Sequence, residues 1–233
     1  MARVALVTGG TRGIGAAISK ALKAAGHKVA ANYGGNDAAA EKFKSETEIP
    51  VYKWDVSSFD ACAEGIKKVE AELGPVDILV NNAGIAIVRG VDDLTEEDFD
   101  RTITVNLKSA FLCTQAVLPM MRTRKWGRIV NISSGAARGA GAIGPHYNAS
   151  KAAVEGLTRG YAARLVKEGI TVNAVAPSLI ETDMMKGQSS LVSRIPVGRF
   201  GTVEEVAQAV MLLVNNPYMT GQTIAMSGGM AFN

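Results

Sequence analysis

Apolar residues follow two alternating rhythms along the chain. Short unbroken runs at Val4–Thr8, Lys28–Tyr33, Val51–Trp54, Val76–Val80, Arg128–Ile132, Ile170–Val175 and Thr223–Met226 predict seven strands. Between them, apolar residues recur every three or four positions. Ile14, Ile18, Leu22 and Ala25 predict a first helix with Gly26 as its C-terminal cap. Ala38–Glu48 reads as an amphipathic helix, and Ile66, Val69 and Leu73 mark another that Gly74-Pro75 stops. A long helix is predicted from about Val105 to about Met121, a second over Tyr147–Val166 and a third over Val203–Val214. Thr95 with Asp98, and Thr202 with Glu205, have the spacing of capping boxes.

The strand segments do not alternate between polar and apolar residues. Unbroken apolar strands belong to a parallel sheet covered on both faces. Strand–helix alternation over the whole length predicts a doubly wound α/β fold: about seven parallel strands, flanked by helices on both faces. No Pro/Ser linker, composition shift or internal repeat divides the chain, so residues 1–233 are expected to form one domain. Leu179–Gly201 is the longest stretch without clear periodicity, the mark of a functional loop, and is expected to face the substrate.

Composition narrows the function classes. The chain has 233 residues, 47% hydrophobic and 20% charged, as in an ordinary soluble globular protein. A net charge of +3 and the lack of a dense basic block argue against nucleic acid. The densest basic run, Arg122, Arg124, Lys125 and Arg128, reads as a solvated helix end, or alternatively as a dock for an anionic substrate carrier. Cys62 and Cys113 fit no zinc or redox spacing, so no metal is expected and a reduced, cytoplasmic setting is the default. The opening residues run straight into a strand without leader architecture, and no apolar run reaches the ~18 residues that span a bilayer.

Two local patterns carry chemistry. Thr8-Gly9-Gly10-Thr11-Arg12-Gly13-Ile14-Gly15 joins the first strand to the first helix. There Gly9 permits a tight turn, Gly13 lets the backbone approach a pyrophosphate, and Gly15 lets the helix pack close to the sheet. The helix N-terminus then offers free N–H groups to phosphates. Further on, Tyr147 and Lys151 are an i, i+4 pair that shares one helix face. An unperturbed Tyr, with pKa ~10, is a poor proton donor and acceptor near neutrality. A neighbouring ammonium favours the phenolate, so the pair suits acid–base work.

The Gly-x-x-x-Gly-x-Gly spacing, with Thr8 in front, resembles the short-chain dehydrogenase/reductase family, which has a Rossmann fold. Other segments match that family in order: Asn81-Asn82-Ala83-Gly84 after the fourth strand, Asn106 in the long helix, Ser134 thirteen residues before Tyr147, and Lys151 four after it. The resemblance covers essentially the whole chain. It implies a catalytic set of Asn106, Ser134, Tyr147 and Lys151. Tyr147 would protonate the alkoxide that forms as hydride reaches a ketone carbon, and Ser134 would hold that oxygen. Lys151 would lower the Tyr147 pKa and hold the nicotinamide ribose, and Asn106 would anchor a water that relays protons. His146 is expected to point elsewhere.

The resemblance also implies a cofactor cradle. Gly9, Thr11, Arg12, Gly13, Ile14 and Gly15 would face the phosphates, and Asn32 the ribose end. Asp55 and Val56 resemble an adenine-contacting pair, although Asp55 also suits a helix N-cap. Asn82, Ala83 and Gly84 would line the crevice; Pro177, Ile180 and Thr182 would meet the nicotinamide end together with Tyr147 and Lys151. Ser178 stands where the family usually has Gly. No acid ends the second strand before Asp37, and Arg12 lies where a 2′-phosphate contact belongs, so NADP(H) is favoured over NAD(H).

Within the family the chain looks most like reductases of 3-oxoacyl thioesters, carried on coenzyme A or on a carrier protein. Lys53-Trp54-Asp55-Val56 resembles the coenzyme A group, and Ile170–Pro177 with Ser227-Gly228-Gly229-Met230 resembles the carrier-protein group. Ala86-Ile87-Val88-Arg89-Gly90 and Glu168 depart from the carrier-protein pattern, as does a short Met184–Pro196 loop. The expected partner is therefore a small-molecule carbonyl, with CoA and carrier-protein thioesters as candidates. The alternatives are another small secondary alcohol or ketone, or a catalytically silent dinucleotide-binding regulator. A homo-oligomer, dimer or tetramer, is expected from relatives that pair the helices after Asn106 and Tyr147.

Overall fold

A computed structural model describes residues 2–139, 141–182, 187 and 189–232. Seven parallel strands lie in the order β3-β2-β1-β4-β5-β6-β7: β1 Val4–Val7, β2 Lys28–Tyr33, β3 Val51–Lys53, β4 Val76–Asn81, β5 Gly127–Ile132, β6 Ile170–Pro177 and β7 Thr223–Met226. The order reverses between β1 and β4, which opens a crevice at the carboxyl ends of those strands. The doubly wound parallel sheet is the one expected.

Helices α1 Gly13–Ala24, α2 Asp37–Thr47 and α7 Val203–Asn215 cover one face. On the other lie α3 Phe59–Leu73, α5 Ser109–Arg124 and α6 Pro145–Leu165. The period-two geometry of each strand divides its side chains between the two cores. In β1, Val4 and Leu6 pack on one side, and Ala5 and Val7 on the other. The strands are unbroken apolar runs because both faces are buried.

Three local expectations change. The helix expected from Val105 is not continuous: α4 Glu96–Ile103 leads through a π-helical turn, Thr104–Lys108, into α5. Thr202 and Glu205 form a complete capping box on α7. At α4, the Thr95 side chain accepts from the Asp98 N–H, but the Asp98 carboxylate bonds Arg89 at 2.6 Å. In the basic run, Arg122, Arg124 and Lys125 are exposed at the end of α5 as expected, and the burial of Arg128 is the change. Arg122 pairs with Glu168 and Arg124 with Asp77, while Arg128 is buried over the Trp126 ring and donates to main-chain carbonyls. An aromatic face and backbone oxygens replace the water this cation would otherwise need. Cys62 and Cys113, far apart in sequence, are buried free thiols with Sγ atoms 3.8 Å apart between α3 and α5.

Candidate active site

A cleft of about 1560 Å³ opens where the strand order reverses, lined by the loops after β1, β2, β3, β4, β5 and β6. The Gly-rich loop forms its floor. Gly9 and Gly13 have φ of 61° and 52°, the left-handed region that glycine tolerates best. A Cβ on Gly15 would run into the Gly9 carbonyl. The loop is fixed from behind by Thr8, whose hydroxyl accepts from the Asn82 and Ala83 N–H groups, both at 3.0 Å. Asn82 Nδ2 returns bonds to the Thr8 and Gly9 carbonyls. The Asn82-Ala83-Gly84 segment is thus stitched to the Gly loop across the reversal point.

The cleft suits a dinucleotide on two counts. Helices α2, α3, α4 and α7 each have a side chain bonded to a free N–H of the first turn, whereas α1, like α6, has no such cap and no acid in its first turn. Its unmet N–H groups and positive dipole end favour an anion. A Cβ on Gly13 would meet only Thr182 Cγ2, at 3.9 Å, so the backbone is open to close approach.

The structure brings all the expected cradle residues to this cleft: Gly9, Thr11, Arg12, Gly13, Ile14, Gly15, Asn32, Asp55, Val56, Asn82, Ala83, Gly84, Pro177, Ile180 and Thr182 line it with Ser134, Tyr147 and Lys151. Asn106 lies behind the lining. Asn32 is buried, and its amide is committed to the Gly9 N–H and the Trp54 carbonyl, which makes it a support for the loop. Asp55 accepts from the Ser57 N–H at 2.9 Å, and Ser58, not Asp55, caps α3. Asp37, the first acid after β2, is held by Lys53 at 2.9 Å and the Tyr33 hydroxyl at 3.0 Å. Ser178 takes an ordinary backbone conformation, since Glu48 and Lys125 are the non-glycine residues with positive φ among those described.

The acid–base group lies on the β5–α6 side. Ser134 follows β5, and its Oγ accepts from the Ala136 N–H at 3.2 Å. Tyr147 and Lys151 stand on successive turns of α6, with Lys151 Nζ 5.8 Å from the Tyr147 ring centre. Lys151 Nζ donates to the Ile132 carbonyl at 2.9 Å. Burial pushes the ammonium down to about 8. Burial also pushes the Tyr147 phenol up, with the neighbouring Ser134 pulling the other way.

Asn106 sits in the π-helical turn. Its Oδ1 accepts from the Ile85 N–H at 2.8 Å, and its Nδ2 donates to the Ile85 carbonyl and to Ser150 Oγ, both at 3.1 Å. The side chain therefore locks the loop after β4 to α6. His146 points away from the cleft and bonds the Ile87 carbonyl at 3.0 Å through Nε2. Several supporting groups were not visible in the sequence pattern, among them Ser150 and Glu155.

The substrate side is less regular. Ile85 and Ala86 line the cleft, and Val88 is exposed. Of the 179–201 loop, residues 183–186 and 188 lie outside the described residues, which takes in part of the expected Met184–Pro196 segment; Ile180 and Gly201 form a short bridge across its base. Among the described residues, no cluster of three His, Cys, Asp or Glu could hold a metal, and no helix is long and apolar enough to cross a membrane.

The family described as short chain dehydrogenase matches residues 3–191. The chain is 50% identical over 242 residues to an acetoacetyl-CoA reductase of Rhizobium meliloti and 49% identical over 240 residues to one of Shinella zoogloeoides, with 100% of each chain covered. It is 40% identical over 239 residues to a 3-oxoacyl-(acyl-carrier-protein) reductase of Synechocystis, covering 98% of this chain and 97% of that one.

Proposed function

The chain belongs to the short chain dehydrogenase family and is an NAD(P)-dependent oxidoreductase acting on CH–OH groups; on that premise we propose that it uses NADPH to reduce a 3-oxoacyl thioester, acetoacetyl-CoA first among candidates, to the 3-hydroxy product. The observation that carries this reading is the convergence of Ser134, Tyr147 and Lys151 on one wall of a cleft whose floor is an uncapped helix N-terminus. Full-length relatives named acetoacetyl-CoA reductase supply the substrate.

NADPH, when bound, supplies the hydride. Gly9, Gly13 and Ile14, with the first turn of α1, would hold its phosphates, and Lys151 its nicotinamide ribose. Ser134 orients the carbonyl oxygen of the substrate, and Tyr147 gives its phenolic proton to that oxygen as negative charge develops there. Lys151, with its depressed pKa, is suited to return a proton to Tyr147. The Asn106 amide is committed to Ile85 and Ser150, so its part is to hold the loop after β4, and any relay water must be bound by other atoms. NADP(H) is preferred because Arg12 lines the cleft while Asp37, the acid that would repel a 2′-phosphate, is neutralised by Lys53.

We read residues 1–233 as one cofactor-binding unit, with a substrate loop at about 179–201, and as a protomer of a cytoplasmic homo-oligomer. The apolar Ala86-Ile87-Val88 segment favours an acyl chain over a polyol. A kinetic panel tests the reading: acetoacetyl-CoA, a 3-oxoacyl thioester on carrier protein and free ketones, each with NADPH and NADH. The expected result is fastest turnover of acetoacetyl-CoA with NADPH. Binding of NADPH without turnover of any carbonyl would make the chain a regulator instead.

A further inference from the structure

Glu155 is a buried carboxylate that the reaction just described does not use. It lies on α6, one turn beyond Lys151, and is 4% exposed. Its Oε1 accepts from Ser133 Oγ at 3.3 Å, and its Oε2 from Arg138 Nε at 3.0 Å. These two partners flank Ser134: Ser133 precedes it, and Arg138 follows the short helical turn Gly135–Ala137 that Ser134 starts. Ser133 Oγ is also 3.0 Å from the Lys151 carbonyl. One carboxylate thus grips the segment carrying Ser134 on both sides and ties it to the helix carrying Tyr147 and Lys151.

A buried carboxylate is costly unless it is paired and hydrogen-bonded. Here the pairing has a geometric product. The segment after β5 is held to α6 near Ser134 by side chains, because Ser134 itself bonds only within its own turn, to Ala136. The other charged side chains near Glu155 along α6 are Lys151, whose Nζ is turned to the Ile132 carbonyl, and the exposed Arg159.

We propose that Glu155 is a positioning residue: through Ser133 and Arg138 it sets the distance between the Ser134 hydroxyl and the Tyr147 phenol, and so the alignment of both on the carbonyl oxygen. This rests on the catalytic reading of Ser134 and Tyr147. Misalignment of this size lowers the rate of a positioned proton transfer without touching the phosphate-binding floor, which lies on the loop after β1.

The test is Glu155→Gln, which keeps the shape and a bond to Ser133 but removes the charge that holds Arg138. Arg138 has a side chain 37% exposed and can return to water, so the variant is expected to fold. Titration of ring-labelled tyrosine by NMR follows Tyr147 among five tyrosines, with or without turnover. Ser134 opposes the upward push of burial on Tyr147, so as Ser134 drifts away the Tyr147 titration moves to higher pH while the other four stay. At neutral pH kcat falls by about tenfold while KM for NADPH changes less than about twofold. Arg138→Gln is expected to give the same pattern more weakly and serves in place of Glu155→Gln if that fails to fold; Arg138→Lys restores part of the rate. An unmoved Tyr147 titration with unchanged kcat overturns the proposal in a protein that reduces carbonyls. A wild-type protein that reduces none overturns the catalytic reading first, and this proposal with it.

Discussion

The two walls of the cleft are built differently. The β5–α6 wall consists of regular elements, and nearly every polar group on it is tied down: Lys151 to Ile132, Ser133 to Lys151 and Glu155, Ser150 to the Tyr147 carbonyl and Asn106. The second wall is made of the loops on either side of β5, Ile85–Val91 after β4 and the described residues of 179–201 after β6, which are irregular and largely exposed, with Val88 and Val91 open to solvent. Ile85–Val91 is tied at intervals: Asn106 grips Ile85, His146 grips Ile87, and Arg89 bonds the Ile143 carbonyl through its N–H and the Asp98 carboxylate through its guanidinium. A proton transfer needs atoms held within fractions of an ångström, and a packed polar network provides that. Choosing among acyl substrates needs a shape, which loops can vary without disturbing the chemistry.

Lys151→Met breaks the rigid wall most severely. Reduction of acetoacetyl-CoA should fall by about 10²-fold or more, as expected for loss of a proton-handling group. The same variant should be more stable. The folded value of about 8 for Lys151 lies below the ordinary 10.5, so the fold penalises the charged form. That penalty is full below pH 8 and fades towards pH 10.5; at neutrality it amounts to at most about 3 kcal/mol. Urea melts should show the variant ahead of wild type at pH 7 and the gap closing near pH 10.

Asn106→Ala removes three hydrogen bonds that join the two walls through the π-helical turn. It should cost about 2–3 kcal/mol in urea unfolding and lower kcat by about tenfold. Arg12→Ala acts on the floor alone. NADPH affinity, read by nucleotide fluorescence, should weaken by about tenfold and NADH affinity should hardly move, because a charge-assisted phosphate contact is lost. Equal weakening of both would remove Arg12 from 2′-phosphate recognition. Arg89→Met, in the variable wall, breaks a two-pronged ion pair with Asp98 from a side chain 42% exposed. Its effect should be smallest: stability within about 1 kcal/mol, a change in KM for the thioester of a few-fold, and kcat intact.

The same division explains what could be read from the sequence. Strands β2 and β7 have the expected bounds because their apolar runs end at sharp polar or glycine boundaries. The cofactor floor and the Ser134, Tyr147 and Lys151 group were legible because close backbone approach and proton transfer each demand particular residues at fixed spacing. The π-helical turn was not, and the bonds that Asn106 makes from it reach Ile85 and Ser150, far away in sequence. Nor was the burial of Arg128, which depends on Trp126 and on carbonyls at the far end of α7. Glu155 looks like a surface residue of an amphipathic helix until Ser133 and Arg138 are brought to it. Cys62 and Cys113 likewise show their proximity only once α3 and α5 are packed.

The most direct measurement follows NADPH oxidation by acetoacetyl-CoA in wild type and in Tyr147→Phe, with NADPH affinity determined for both. Tyr147 is predicted to be the proton donor. Wild type should then convert NADPH and thioester one for one, and Tyr147→Phe should bind NADPH equally well but turn over at least about 100-fold more slowly. A phenylalanine variant that keeps more than about a tenth of the wild-type rate would contradict it, since general acid catalysis of this kind contributes far more than that.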